Sequence, residues 1–541
     1  MNQAVRFDNK DREKEMNAAM EEYEAYNYMK AYHNYSITEN GATGYHTTGH
    51  SLLDLNFKVS SLRNREEAMI VKYFVEAYYE NRKYAVKWLF FLRDILEGLG
   101  ERRTFRVCLK YLAISHPETV KAVMELVPEY GRFDDLLCLL DTPLCDEVCA
   151  IFKRQLERDI NSMKSGKKIS LLAKWLPSSN TSSKETRKMA AIVAKKLDLK
   201  ERSYRKMLAG LRSYGNVLET KLSASDWSGI DYETVPAKAN LRYEEAFLRH
   251  DRQGREDYFK RVLKEGGRLN TAGLMPYEIV HRLQSNCYRR AIKDDVLAEL
   301  MWQKMRQEGF RNNWGLDRCI VVADGSGSML SSVSGNTSVT ALDVCNSLAI
   351  YFAEQLSGVF HDKAITFSSR PKFIELNKGK SLKEKLEIMN AHNEIANTNI
   401  EAVFDLLLSM AVSRKVPKEQ LPNQVLIISD MEFDMANRPD GWNRPVVPWK
   451  PFNQTLFCKI EDKYNAAGYS MPQLIFWNVC GRTDTLPMVD KDKGICLLSG
   501  FSQNAMKVAG NKEEKDPYEK LLKTLDHPRY LPVEKALEKI A

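Results

Sequence analysis

Between Arg65 and about Arg311 the apolar residues recur at i, i+3, i+4 and i+7, the spacing that lines one face of a helix. "EEAMIVKYFVEAYY", "KYAVKWLFFLRDILEGL", "TFRVCLKYLAI", "PETVKAVMELVPEY", "FDDLLCLL" and "CDEVCAIFKRQLERDI" each carry such a stripe, and short breaks with Gly or Pro separate them. Helices of this length joined by tight turns predict antiparallel pairs stacked as an α-solenoid. Upstream, "TENGATGYHTTGHSLLDLNFKVSSLRN" (38–64) is rich in Gly and Thr and reads as loop. Residues 1–35 read as a charged arm or helix.

After "RNNWGLDR" (311–318) the pattern changes. "CIVVAD", "AITFSS", "QVLIISD" and "PQLIFWNV" are short, nearly continuous apolar runs, as strands buried on both faces require. Amphipathic stretches lie between them: "TALDVCNSLAIYFAEQL", "SLKEKLEIMNAH", "NIEAVFDLLLSMAV" and "TLFCKIEDKYNAAG". Strand alternating with helix predicts a doubly wound α/β domain, with its ligand site beyond the carboxyl ends of the strands. Asp324 and Asp430 stand at two such ends. The expected division is an arm (1–35), a helical domain (36–311) and an α/β domain (312–541).

Composition changes this picture little. Of 541 residues, 44% are hydrophobic and 28% charged, as in a globular protein of several domains. No apolar run approaches the roughly 20 residues of a membrane span, and the polar start is unlike a signal peptide. A cytoplasmic protein without a membrane partner is expected. The ten cysteines contain no CxxC pair and read as buried reduced thiols. "HTTGH", with His46 and His50, lacks the glutamate of a zinc-protease helix and reads as loop packing or capping.

Charge matters more. The net charge is +8, yet Ile151 to Gly215 holds 17 Lys/Arg against 5 Asp/Glu, an excess of +12. The remainder of the chain is therefore slightly acidic. Such asymmetry points to a polyanion-binding region.

The stretch "VVADGSGSML" (321–330) holds the chemistry. A dinucleotide loop needs a third Gly where Leu330 stands, and no Walker sequence occurs. A phosphoaspartyl enzyme usually has a second acid two residues on, where this chain has Ser326. A hard divalent cation fits better, because it takes about six oxygen ligands and Asp324, Ser326 and Ser328 alternate onto one side of a turn. Asp430 is the second carboxylate, and Thr398, just before a helix, supplies a further hydroxyl. No His or Lys base lies in these three loops, so the site is expected to hold a ligand rather than to catalyse.

With these residues in order, 316–500 resembles a von Willebrand factor A domain with a metal-ion-dependent adhesion site. The resemblance implies Asp324, Ser326, Ser328, Thr398 and Asp430 as metal ligands, although Met431 and Glu432 replace the Gly that usually follows the last acid. "VPEYGRFDDLL", "LLAKWLPSSN", "YRKMLAGLR" and "DWSGIDYETVPAKANLRYEEAF" resemble the TROVE module of the Ro autoantigen family, a HEAT-like helical ring closed by an A domain. Together with "VVADGSGSM", the pattern over about 36–541 is similar to the family called domain of unknown function 2828.

The resemblance implies α plus α/β architecture and a non-enzymatic scaffold binding small noncoding or single-stranded RNA. Lys164, Lys167, Lys168, Lys174, Lys184, Arg187, Lys188, Arg202, Arg205 and Lys206 fall in the part similar to the Ro RNA-binding region. Trp175 and Tyr204 are candidates for stacking on bases. The metal, Mg²⁺ with Mn²⁺ or Ca²⁺ as alternatives, would recruit a protein that offers an acidic residue. Two other readings stay open: a metal-dependent protein adaptor without RNA, and a nuclease or phosphatase.

Overall fold

The computed structural model describes residues 34–37, 43–264, 266–284, 292–311, 316, 318–334, 337–377, 379–393, 399–432, 452–481, 485–487, 495–510 and 516–540. Of the expected arm at 1–35, residues 1–33 lie outside them, and Tyr35 begins a strand rather than a helix. A two-stranded antiparallel pair, β1 (Tyr35–Ile37) and β2 (Thr43–Tyr45), opens the described chain. The longer helices of the first half follow: α1 (Ser51–Phe57), α2 (Glu67–Glu80), α3 (Arg82–Arg93), α4 (Arg103–Ser115), α5 (Cys145–Lys164), α6 (Lys184–Lys196), α7 (Glu201–Tyr214), α8 (Ala237–His250), α9 (Arg252–Lys264), α10 (Pro276–Leu283) and α11 (Val296–Arg311). Local signals set their ends. Asn81 caps α3 by accepting from the Tyr84 N–H at 3.2 Å, and Pro276 opens α10, where its missing N–H costs nothing.

Two segments depart from the sequence reading. Ser51–Phe57 and Val59–Leu62 are helical rather than loop, and every residue from Leu52 to Leu62 is buried. Asp54 fixes the entry by accepting from the Thr48 N–H at 2.8 Å and the Thr48 hydroxyl at 2.6 Å. "FDDLLCLL" forms a 3₁₀ segment, Phe133–Leu139, because Asp135 is drawn into the core by Arg93 and Arg106, each at 2.7 Å.

The second half is a six-stranded sheet in the order β5-β4-β3-β6-β7-β8. Its strands are β3 (Cys319–Ala323), β4 (Lys363–Thr366), β5 (Phe373–Glu375), β6 (Gln424–Ser429), β7 (Gln473–Asn478) and β8 (Ile495–Ser499). Five run parallel, and β5 pairs antiparallel on the edge. The helices are α12 (Ala341–Ala353), α13 (Leu382–Ala391), α14 (Ile400–Ser413), α15 (Phe452–Ala466), α16 (Pro517–Leu525) and α17 (Leu531–Leu537). β3 and β6 are buried along their whole length, and so is α12, whose apolar surface runs all round.

The halves share one hydrophobic cluster that runs from Tyr45 to Leu537, so the expected boundary at 311/312 marks a change of pattern without a gap in packing. Tyr45 exchanges backbone hydrogen bonds with Leu486 at 2.8 and 2.7 Å. Asn478, at the end of β7, donates to the Phe57 carbonyl at 3.1 Å and accepts from the Ser60 hydroxyl at 3.0 Å. Trp302 of α11 donates to Glu354, which also holds Lys385 in a buried ion pair at 2.5 Å. At the far end Lys87 of α3 reaches Asp526 at 2.5 Å and Glu534 at 2.7 Å. Among the described residues no helix is long and apolar enough to cross a membrane.

Candidate functional site

β3 and β6 lie side by side, and their carboxyl ends present Asp324 and Asp430, both buried. The Asp324 N–H continues the ladder to the Ile428 carbonyl at 3.1 Å. Its carboxylate accepts from the Ser326 N–H at 2.9 Å and from the Ser429 hydroxyl at 2.6 Å. The next turn brings the Ser326 and Ser328 hydroxyl oxygens to 2.9 Å from each other. Asp430 accepts from the Glu432 N–H at 3.2 Å, and Met431 between them takes a left-handed φ of +63°. Cys345 of α12 touches both strand ends: its thiol donates to the Ile428 carbonyl at 3.3 Å. Burial, reinforced by the charges of Asp324 and Asp430, pushes that thiol far up its titration range.

Thr398 lies outside the described residues, so four of the five expected ligands have a described position. Three oxygen donors, Asp324, Ser326 and Ser328, sit in one turn, and Asp430 stands at the end of the adjoining strand. Oxygen donors of this kind suit a hard divalent cation such as Mg²⁺. Among the described residues no group of three or more His, Cys, Asp or Glu gathers that could hold a metal ion.

Two neighbours were not visible in the sequence. Ser429, the last residue of β6, reads there as one more strand position, yet it holds Asp324. Asn393 follows α13 and presses on the loop: a Cβ at Gly325 would stand 3.0 Å from the Asn393 Cα, so glycine is required by close approach. Asn390 accepts from Asn346 at 3.1 Å and from Asn393 at 3.3 Å, which fixes that approach.

The cations of the basic segment occupy four places. Lys164 ends α5, and Lys167 and Lys168 follow it, all exposed. Lys184, Arg187 and Lys188 lie exposed on the first turns of α6, where Arg187 donates to the carbonyls of Thr181 at 2.6 Å and Ser182 at 2.9 Å. Lys174 is half-buried and pairs with Glu219 at 3.3 Å. Arg202, Arg205 and Lys206 of α7 line an open groove of about 830 Å³ opposite Ser178, Ser179 and Asn180. Arg212, absent from the sequence reading, lines the groove as well. It donates to the carbonyls of Ala173 and Leu176 and to the Ser178 hydroxyl, each at 2.8 Å. The Ser179 hydroxyl is shielded from solvent without a hydrogen-bond partner among the described residues.

The aromatic candidates fare differently. Tyr204 is fully buried and donates to the Pro177 carbonyl at 2.9 Å, so it supports the groove and cannot stack on a base. Trp175 is half-buried with Arg132 stacked 3.8 Å from its ring centre. His50 stacks on Tyr518 at 3.9 Å, the packing role expected of it. Not every cysteine is buried: Cys138 and Cys145 are half-buried and Cys458 is exposed, and none of the nine described cysteines is in a disulfide. Cys458 falls on the solvent side of α15, away from the Ile460 and Tyr464 positions that enter the core.

Fold and site thus define a class: a helical array fused through a shared core to a mixed α/β sheet with a carboxylate–hydroxyl loop at its central strand ends. Residues 38–148 and 184–309 match the model of the family Domain of unknown function (DUF2828), and residues 318–535 match that of Domain of unknown function (DUF7788). A relative is the uncharacterized protein L728 of Acanthamoeba polyphaga mimivirus, 29% identical over 529 residues that cover 91% of this chain and 87% of the relative.

Proposed function

We propose that the protein is an RNA-binding scaffold of the Ro type. Its basic helical surface grips the phosphates of small noncoding or single-stranded RNA. Its sheet half, an A-type domain, closes a helical ring and holds a divalent metal, most simply Mg²⁺. Asp324, Ser326, Ser328 and Asp430, with Thr398, would hold the ion, which would supply a Lewis-acidic anchor for a partner's carboxylate. The observation that carries the RNA reading is the groove between Ser178–Asn180 and α7. Three exposed cations, Arg202, Arg205 and Lys206, line it, and Arg212 adds a fourth positive charge to its lining.

The test is the combined substitution Arg202→Glu, Arg205→Glu and Lys206→Glu in the full chain, titrated with a fluorescent single-stranded RNA at several salt concentrations. These side chains are exposed, so the fold is expected to survive, which circular dichroism checks. Affinity should fall at least tenfold, and losing three phosphate contacts should reduce the slope of log K against log salt by about 2. Equal affinity in the variant would remove RNA from this groove. A protein partner released by EDTA, with no RNA bound, would favour the adaptor reading, which the paired serine hydroxyls beside Asp324 support.

A further inference from the structure

A hydrogen-bonded chain of three side chains crosses the junction of the two halves and uses none of the residues named for the groove or the carboxylate–hydroxyl loop. His281 of α10 places Nδ1 3.0 Å from the Asp343 carboxylate and Nε2 3.0 Å from the Ser338 hydroxyl. The acid comes from the first turn of α12 and the hydroxyl from the loop before it, whereas the imidazole comes from the helical half. Solvent access rises along the chain: Asp343 is buried, His281 half-buried and Ser338 exposed.

The geometry has two fixed ends. Asp343 is locked in a capping box, accepting from the Thr340 N–H at 3.1 Å and donating its own N–H to the Thr340 hydroxyl at 3.1 Å. His281 is placed by α10, whose neighbours Ile279, Val280 and Leu283 are all buried in the shared core. With Nδ1–H donated to the carboxylate, the Nε2 lone pair faces the serine hydroxyl, which is the tautomer a general base needs. A cap alone explains Asp343 and Thr340. It does not explain an imidazole from the other half of the protein aligned between that acid and an exposed hydroxyl.

We propose that Ser338 is an activated nucleophile, with His281 as its base and Asp343 as the positioning residue, and that this junction transfers acyl groups from carboxylic esters. Ser338 Oγ attacks the ester carbonyl carbon while its proton passes to His281 Nε2. The carbonyl electron pair moves onto oxygen, and its return expels the alcohol, which takes the proton from Nε2. Water then attacks the acyl-serine by the same route, releasing the carboxylic acid and restoring the serine. α12 starts at Ala341, so the positive end of a 13-residue helix lies at the base of the loop where negative charge develops.

The test uses the full-length protein, a fluorophosphonate probe located by peptide mass spectrometry, and p-nitrophenyl acetate turnover. Labelling should fall on Ser338 and vanish in Ser338→Ala. It should drop at least tenfold in His281→Gln and in Asp343→Asn with melting temperatures unchanged. In p-nitrophenyl acetate turnover, His281→Gln and Asp343→Asn should each lower kcat at least tenfold with KM little changed, the split expected of groups that act on the chemical step. Absence of Ser338 labelling, or equal labelling in His281→Gln, overturns the proposal and leaves the chain as a strut between the halves. RNA binding is untouched by either outcome.

Discussion

The Ser429 hydroxyl donates to the Asp324 carboxylate at 2.6 Å, joining the ends of the two central parallel strands. The same oxygen accepts from the Met431 N–H at 3.0 Å, so one hydroxyl orders both acidic loops. Ser429→Ala removes one donor from the buried Asp324 carboxylate and the hydroxyl that accepts from the Met431 N–H. Each such loss costs about 1–3 kcal/mol. Denaturant unfolding should show the variant less stable by a few kcal/mol, and a change within error would show that this bond adds nothing.

Met431 presents a contest between two effects. Its left-handed backbone costs about 1–2 kcal/mol, which glycine would relieve. Its side chain, however, is buried at 4% exposure, and removing a buried Met side chain costs about 2–5 kcal/mol. Burial should win. Met431→Gly is expected to unfold at lower denaturant than wild type, and a more stable variant would mean that backbone strain dominates this loop.

How much of this was legible in the sequence follows from burial. β3, β6 and β7 are enclosed on both faces, so their apolar runs were unbroken and plain to read. β5 is three residues with one buried position, and β8 has only a short apolar run; neither stands out. The helix at 51–57 was hidden for the opposite reason. It is buried almost all round, so no stripe of polar residues reveals its period, and the Gly/Thr-rich stretch before it suggests loop. Asp324 and Asp430 were visible because a charge ending an apolar strand is unusual. Asn393, Arg212 and the His281–Asp343 contact were not, because each joins residues far apart in the chain through tertiary packing alone.

The metal reading makes a thermodynamic prediction. A cation that binds the folded chain at 100 times its Kd adds about 2.7 kcal/mol of stability. Wild-type protein should therefore melt at a higher temperature in Mg²⁺ than in EDTA, and Asp324→Ala should melt at the same temperature in both. Identical wild-type melting in Mg²⁺, Mn²⁺, Ca²⁺ and EDTA would count against an ion at this loop.

The C-terminal helices should be the first part to leave in acid. Lys87 is buried on α3 and faces Asp526 and Glu534, which α16, α17 and their junction bring to it. Hydrogen bonding from Lys87, with Lys83 adding to it against the cost of burial, holds the Glu534 carboxyl below its ordinary range. A carboxyl depressed in the folded state stabilises it fully above the unfolded pKa of about 4.3, and that contribution is lost as pH falls through the folded value. Below about pH 4, residues 517–537 should therefore gain hydrogen exchange before the six-stranded sheet does. Lys87→Met removes the larger of the two charges that depress Glu534 and should weaken that acid-specific opening. If exchange in 517–537 rises only together with the sheet, or if Lys87→Met opens at the same pH as wild type, these ion pairs do not control the docking of the C-terminus.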